Sequence, residues 1–174
     1  MLPKVLISEE TLRKRVEELS TKINNDYDGK PVTVICILKG GVVFFSDMIR
    51  KLKMPLICEF LGTSSYGNEK KSSGEIKLTM DVREPLEGKH VLVFEDIVDS
   101  GLTLSYILSL LQARKPASVK LCSLLLKPES IQAKDLNVDY VGFEIGDEFI
   151  VGYGLDYAGK YRGLPYIGLL EEVA

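Results

Sequence analysis

Histidine is almost missing from this sequence: among 174 residues, His90 is the only one. A Ser-His-Asp triad could use that residue alone, and a His-rich zinc site cannot be built at all. Cysteine is scarce as well. Cys36, Cys58 and Cys122 are odd in number, far apart and contain no C-x-x-C pair. They fit reduced thiols in a cytoplasmic protein better than a disulfide framework. No apolar run approaches the ~20 residues that span a bilayer, so no membrane association is expected. Ser8, Glu9 and Glu10 turn the N-terminal stretch polar before a leader core develops, and no signal peptide is expected. Charge of one sign is lacking too, since 22 Lys+Arg against 25 Asp+Glu leave a net charge of −3. That balance speaks against a dedicated nucleic-acid binder, whose surface is ordinarily basic. A pocket that gathers a few donors around a small anion is still open to it.

What is present describes one globular domain, 1–174, with 45% hydrophobic and 27% charged residues. Ser8 can cap a first helix whose Leu12, Val16, Leu19 and Ile23 share one face, and residues 27–31 end it. Residues 32–38 form a nearly continuous apolar run, as a strand buried on both faces would. Lys39-Gly40-Gly41 breaks that run, and 42–53 reads as a helix. A second apolar run covers 56–61. The stretch 62–75 is polar, a long loop of the kind that is more often functional than idle. A strand pattern resumes at 76–80. Residues 91–94 are the strongest buried-strand candidate, followed by a loop over 95–101, a helix over 102–114 and another buried strand over 119–126. Short strands are expected near 140–144 and 149–152, and His90 reads as a turn residue. Strands alternating with helices imply crossover units: an α/β fold with a mainly parallel sheet flanked by helices, binding ligands at the carboxyl ends of its strands.

The most informative segment is 91–104, Val-Leu-Val-Phe-Glu-Asp-Ile-Val-Asp-Ser-Gly-Leu-Thr-Leu. An apolar strand delivers Glu95, Asp96 and Asp99 to its end, ahead of small hydroxyl residues and a helix start. Gly101 lets the backbone approach a ligand, the helix start offers unpaired N–H groups, and Ser100 and Thr103 add hydroxyls. Together these suit a terminal phosphate. Glu95 and Asp96 can accept hydrogen bonds from vicinal sugar hydroxyls or hold a hard cation such as Mg²⁺. Asp99 lies between acids and cradle, placed to exchange a proton. A capped helix with solvated acids is the plain alternative for any short motif of this kind.

Residues 91–104 also resemble the phosphoribosyl-diphosphate (PRPP) binding motif of the type I phosphoribosyltransferases. From about residue 37 to 168 the chain is similar to one branch, the hypoxanthine-guanine phosphoribosyltransferases, with the motifs in that family's order. The resemblance implies that family's fold, with a small hood built from terminal segments. It implies transfer of the 5-phosphoribosyl group from PRPP to N9 of hypoxanthine or guanine, with Mg²⁺ as cofactor. It assigns Asp99 as general base, and Lys39, Gly40, Glu95, Asp96, Asp99, Ser100, Gly101, Leu102, Thr103 and Arg162 to PRPP. Lys127, Phe149, Ile150 and Asp156 fall to the purine, Ser65 and Tyr66 to a lid over the diphosphate. Glu95, Asp96 and Asp156 are the implied metal ligands.

Lys127 carries the implied base specificity. An ammonium only donates, so it suits a 6-oxo group and repels the amino group of adenine. The resemblance further implies a homodimer or homotetramer, and no nucleic-acid partner. A rival within the fold is a regulator that senses PRPP and binds nucleic acid, but this chain has no basic face for it. A transferase for another base is disfavoured by Lys127 and Phe149 together.

Overall fold

In the computed structural model the described residues are 2–65 and 76–171. The chain opens with β1 (Lys4–Ile7) and α1 (Glu9–Tyr27), then β2 (Val32–Leu38) and α2 (Val42–Ile49). There follow β3 (Leu56–Ser65), β4 (Ile76–Met80), β5 (His90–Val98), α3 (Leu102–Gln112) and β6 (Ser118–Leu126). The last strands are β7 (Tyr140–Glu144), β8 (Ile150–Val151) and β9 (Ile167–Leu169). Six strands make the main sheet in the order β4-β3-β2-β5-β6-β7, all parallel except β4, which runs antiparallel to β3. A second, antiparallel sheet of order β1-β9-β8 joins the two ends of the chain, as the hood requires. Among the described residues, no helix is long and apolar enough to cross a membrane.

The apolar runs have the period-2 use that a sheet covered on both faces demands. Val34, Cys36, Leu92 and Phe94 pack with Leu12, Val16, Phe44 and Phe45 under α1 and α2. Their neighbours Ile35, Ile37, Val91 and Val93 pack with Leu104, Ile107 and Leu111 of α3 on the other face. Each such side chain contributes about 1.5–3 kcal/mol on leaving water, which outweighs the modest strand propensity of any one residue. Phe94 is fully buried and meets Phe44 and Phe45 edge-to-face at centroid distances of 5.8 and 5.6 Å. This aromatic group fixes the helix after the Gly40-Gly41 turn against the strand that carries Glu95 and Asp96.

Several boundaries differ from the sequence expectation. The segment 95–101 is no loop at its start: β5 continues to Val98, with Glu95 opposite Ser123 and Val98 opposite Leu126. Ladder pairing with β6 overrides the polarity that suggested a loop. Residues 62–65, read as part of a polar loop, belong to β3, where Gly62, Thr63 and Ser64 pair with β4. Tyr66 lies outside the described residues. Helix α2 ends at Ile49 instead of running to 53, and Phe149 precedes β8. His90 is the first residue of β5, not a turn residue, with Nδ1 2.7 Å from the Ser118 hydroxyl. Strands β1 and β9 were not foreseen, because three- and four-residue strands pairing across the whole chain length leave no local pattern.

Helix α1 also guards the outer edge of the main sheet. Arg15 donates from Nε to the Gly142 carbonyl at 2.7 Å and from an Nη to the Val141 carbonyl at 2.7 Å. An Arg15→Ala protein should lose about 1–3 kcal/mol, since two edge carbonyls lose charge-assisted donors. Urea unfolding would read it, and an unchanged midpoint would mean water replaces the guanidinium without cost.

Candidate active site

Parallel strands β5 and β6 end side by side, and that register builds the centre of the site. The Lys127 N–H donates to the Val98 carbonyl at 2.9 Å, which sets the residue after β6 beside the residue after β5. Lys127 is buried, at 8% exposure. Its Nζ is 3.9 Å from an Asp99 carboxylate oxygen and 3.8 Å from one of Asp147. A cation held this deep is stabilised by anionic neighbours. The expected neighbours Asp99 and Lys127 are thus brought together. Asp147, exposed on the turn ahead of Phe149, was missed. The only signal in the sequence was an acidic pair, Asp147-Glu148, next to a residue already assigned to the base.

Beyond Asp99 the chain turns through Gly101, whose φ of +76° is left-handed and precedes α3. A side chain there would be strained, and a Cβ would also press on Leu136. The Ser100 carbonyl accepts from the Gln132 and Ala133 N–H groups at 2.9 and 3.2 Å, tying the turn to the segment after β6. Ser100 Oγ lies 3.4 Å from the Leu102 N–H. Leu102 and Thr103 are exposed at the first turn of α3, whose leading N–H groups have no partner within the helix. The hydroxyls and helix start expected of a phosphate cradle therefore surround one turn.

A second loop faces these acids. The Leu38–Lys39 peptide is cis, and Lys39 is exposed. A Cβ on Gly40 would collide with the Asp96 carboxylate, and a Cβ on Gly154 would collide with the Gly40 carbonyl. Only glycine permits three segments to meet this closely: the β2–α2 turn, the end of β5 and the loop after β8. They enclose a cavity of about 460 Å³ lined in part by Lys39, Gly40, Asp96, Asp156 and Arg162. Thr63 and Thr79 line it too. They escaped the sequence reading because 62–65 looked like a loop and Thr79 like an ordinary strand residue. Arg162 donates to the Gly154 carbonyl at 2.5 Å and pairs with Asp156 at 3.1 Å, and the Gly159 N–H reaches the same carboxylate at 2.8 Å.

Glu95 accepts from the Asp96 N–H at 2.9 Å, and Asp96 from the Ile97 N–H at 2.7 Å. Burial, and then the Asp96 charge beside it, hold the Glu95 carboxyl well above its usual range. Among the described residues, no three His, Cys, Asp or Glu side chains converge on a point that could hold a metal. Glu95, Asp96 and Asp156 are therefore not a closed protein cage. The donor set still fits Mg²⁺, which is ordinarily held by one or two carboxylates with substrate oxygens and water completing its shell.

Phe149 is 54% exposed and meets Tyr157 edge-to-face at 5.5 Å, so one ring face can accept a planar ligand. Ile150 is buried in β8. Ser65 closes β3 with its backbone opposite Ile76.

Comparison with known proteins agrees with this fold. The family model described as phosphoribosyl transferase domain matches residues 8–158. The hypoxanthine-guanine phosphoribosyltransferase of Bacillus subtilis is 47% identical over 170 residues, covering 98% of this chain and 94% of that protein. Its namesake from Dictyostelium discoideum is 46% identical, covering 99% of this chain and 97% of its own length. A crystal structure of a hypoxanthine-guanine phosphoribosyltransferase from Bacillus anthracis superposes with a TM-score of 0.92. It is 46% identical, with 98% of this chain and all of that one covered.

Proposed function

The chain belongs to the phosphoribosyl transferase domain family, and within it we propose a single-domain hypoxanthine-guanine phosphoribosyltransferase with the residue roles that follow. It is an enzyme of purine salvage: it transfers the 5-phosphoribosyl group of PRPP to N9 of a 6-oxopurine and releases diphosphate. The observation that carries the reading is the buried Lys127 ammonium 3.9 Å from Asp99, beside the Gly101 turn. It sets a donor for a 6-oxo group next to a carboxylate that can take a proton, at the edge of a phosphate cradle.

The bond from C1 of the ribose to diphosphate loosens ahead of attack, so positive charge builds on the sugar. Asp99 accepts the N7 proton as the N9 lone pair forms the new bond. Lys127 donates to the 6-oxo oxygen, Phe149 stacks on the base, and the Ile150 backbone borders its edge. Ser100, Gly101, Leu102 and Thr103 hold the 5′-phosphate, and that remote binding orients the reacting carbon. Glu95 and Asp96 orient the ribose hydroxyls. Lys39, Gly40 and Arg162 receive the diphosphate as it gains charge. Ser65 and Tyr66 belong to a lid that excludes water. Glu95, Asp96 and Asp156 would hold Mg²⁺, which when bound neutralises charge on the leaving diphosphate. The enzyme works in the cytoplasm as a homodimer or homotetramer, with small molecules and not nucleic acid as its ligands.

The test offers hypoxanthine, guanine, xanthine and adenine separately to the purified protein with PRPP, with and without Mg²⁺. Turnover of an oxopurine, none of adenine, and dependence on Mg²⁺ are expected. PRPP binding with no base reacting would sink the reading and favour a regulator.

A further inference from the structure

Lys127 stands between two carboxylates and is hydrogen-bonded to neither. At 3.9 Å from Asp99 and 3.8 Å from Asp147, its ammonium is beyond hydrogen-bond range of both, and these are its ion pairs among the described residues. The two anions differ in kind. Asp99 is the residue given the role of base above, whereas Asp147 is a surface residue with 98% of its side chain exposed. Its place is set by the sheet: after β7 the Ile145 N–H donates to the Leu126 carbonyl at 2.9 Å, so the turn carrying Asp147 hangs beside the end of β6.

We propose that Asp147 is a positioning residue for the transfer, holding the Lys127 ammonium away from Asp99 so that Lys127 stays directed to the purine and the Asp99 carboxylate stays open to the N7 proton. This rests on the roles given above to Lys127 and Asp99. A lysine side chain has several rotamers, and a single anion would draw it into a direct pair. Paired directly with Asp99, the ammonium would occupy the carboxylate that the N7 proton must reach and withdraw from the 6-oxo oxygen. Asp147 balances the pull. It acts again when Asp99 takes the proton and becomes neutral, because a cation with only 10% of its side chain exposed then keeps one anion.

The effect is modest because Asp147 is solvated. Asp147→Asn should lower kcat/KM for hypoxanthine about 2–5-fold while leaving the KM for PRPP unchanged. Asp147→Glu should restore most of the loss. In a Lys127→Ala background the Asn substitution should change nothing further, a result that a merely structural role for the turn would not give. An unchanged hypoxanthine kcat/KM in Asp147→Asn overturns the proposal, as does an equal loss in the Lys127→Ala background. If Lys127→Ala itself matches the parent, the fault lies in the Lys127 assignment, and the proposal falls with it.

Discussion

An Asp99→Asn protein is expected to bind PRPP as the parent does and to turn over about 10²-fold more slowly. The substitution keeps the side chain's size and removes only its capacity to take a proton. The Gly101 turn and the Ser100 carbonyl clamp do not depend on that carboxylate. Single-turnover formation of nucleotide, set beside PRPP binding by titration, separates the two. Turnover within a few-fold of the parent would remove Asp99 from the role of base. A loss of PRPP affinity equal to the loss of rate would recast it as a ligand of the sugar.

The second large effect is expected for Lys127→Ala, whose kcat/KM for hypoxanthine and guanine should fall about 10–10²-fold, with PRPP binding spared. A hydrogen bond from a charged donor in a buried site is stronger than an exposed one, and on the role proposed for Lys127 alanine removes that donor from the 6-oxo oxygen. The fold should tolerate the change, because among the described residues the lost ammonium makes no hydrogen bond, and its two carboxylates are exposed to water. Steady-state rates with each substrate varied in turn would test it. Unchanged oxopurine kinetics would place the 6-oxo group elsewhere in the pocket.

Much of this site was legible because it is built from contiguous residues. Glu95, Asp96, Asp99, Ser100, Gly101 and Thr103 lie within nine positions, and a strand end followed by a helix start leaves them little freedom of arrangement. The first helix and its Ser8 cap were legible for the same reason, since an i, i+4 apolar face and a cap are local. Asp147, Thr63 and Thr79 were not. They reach the site from the turn after β7 and from the antiparallel pair β3–β4, whose pairing partners are distant or separated by a polar stretch. Strands β1 and β9 were hidden because each is too short to show a period, and their mutual pairing joins opposite ends of the chain.

The sequence by itself determined the α/β class, the burial of the central strands, the glycine turn that opens α3 and the family to which these motifs belong. The class and the buried strands follow from side-chain period, and the family from the resemblance of residues 91–104 and the later motifs. Only the tertiary structure decided that Asp96 rests against Gly40, that Gly154 admits the same loop, and that Lys127 divides its charge between Asp99 and Asp147. Those contacts join segments tens of residues apart. Strand register and close backbone packing set them, and neither is written in any local stretch of the chain.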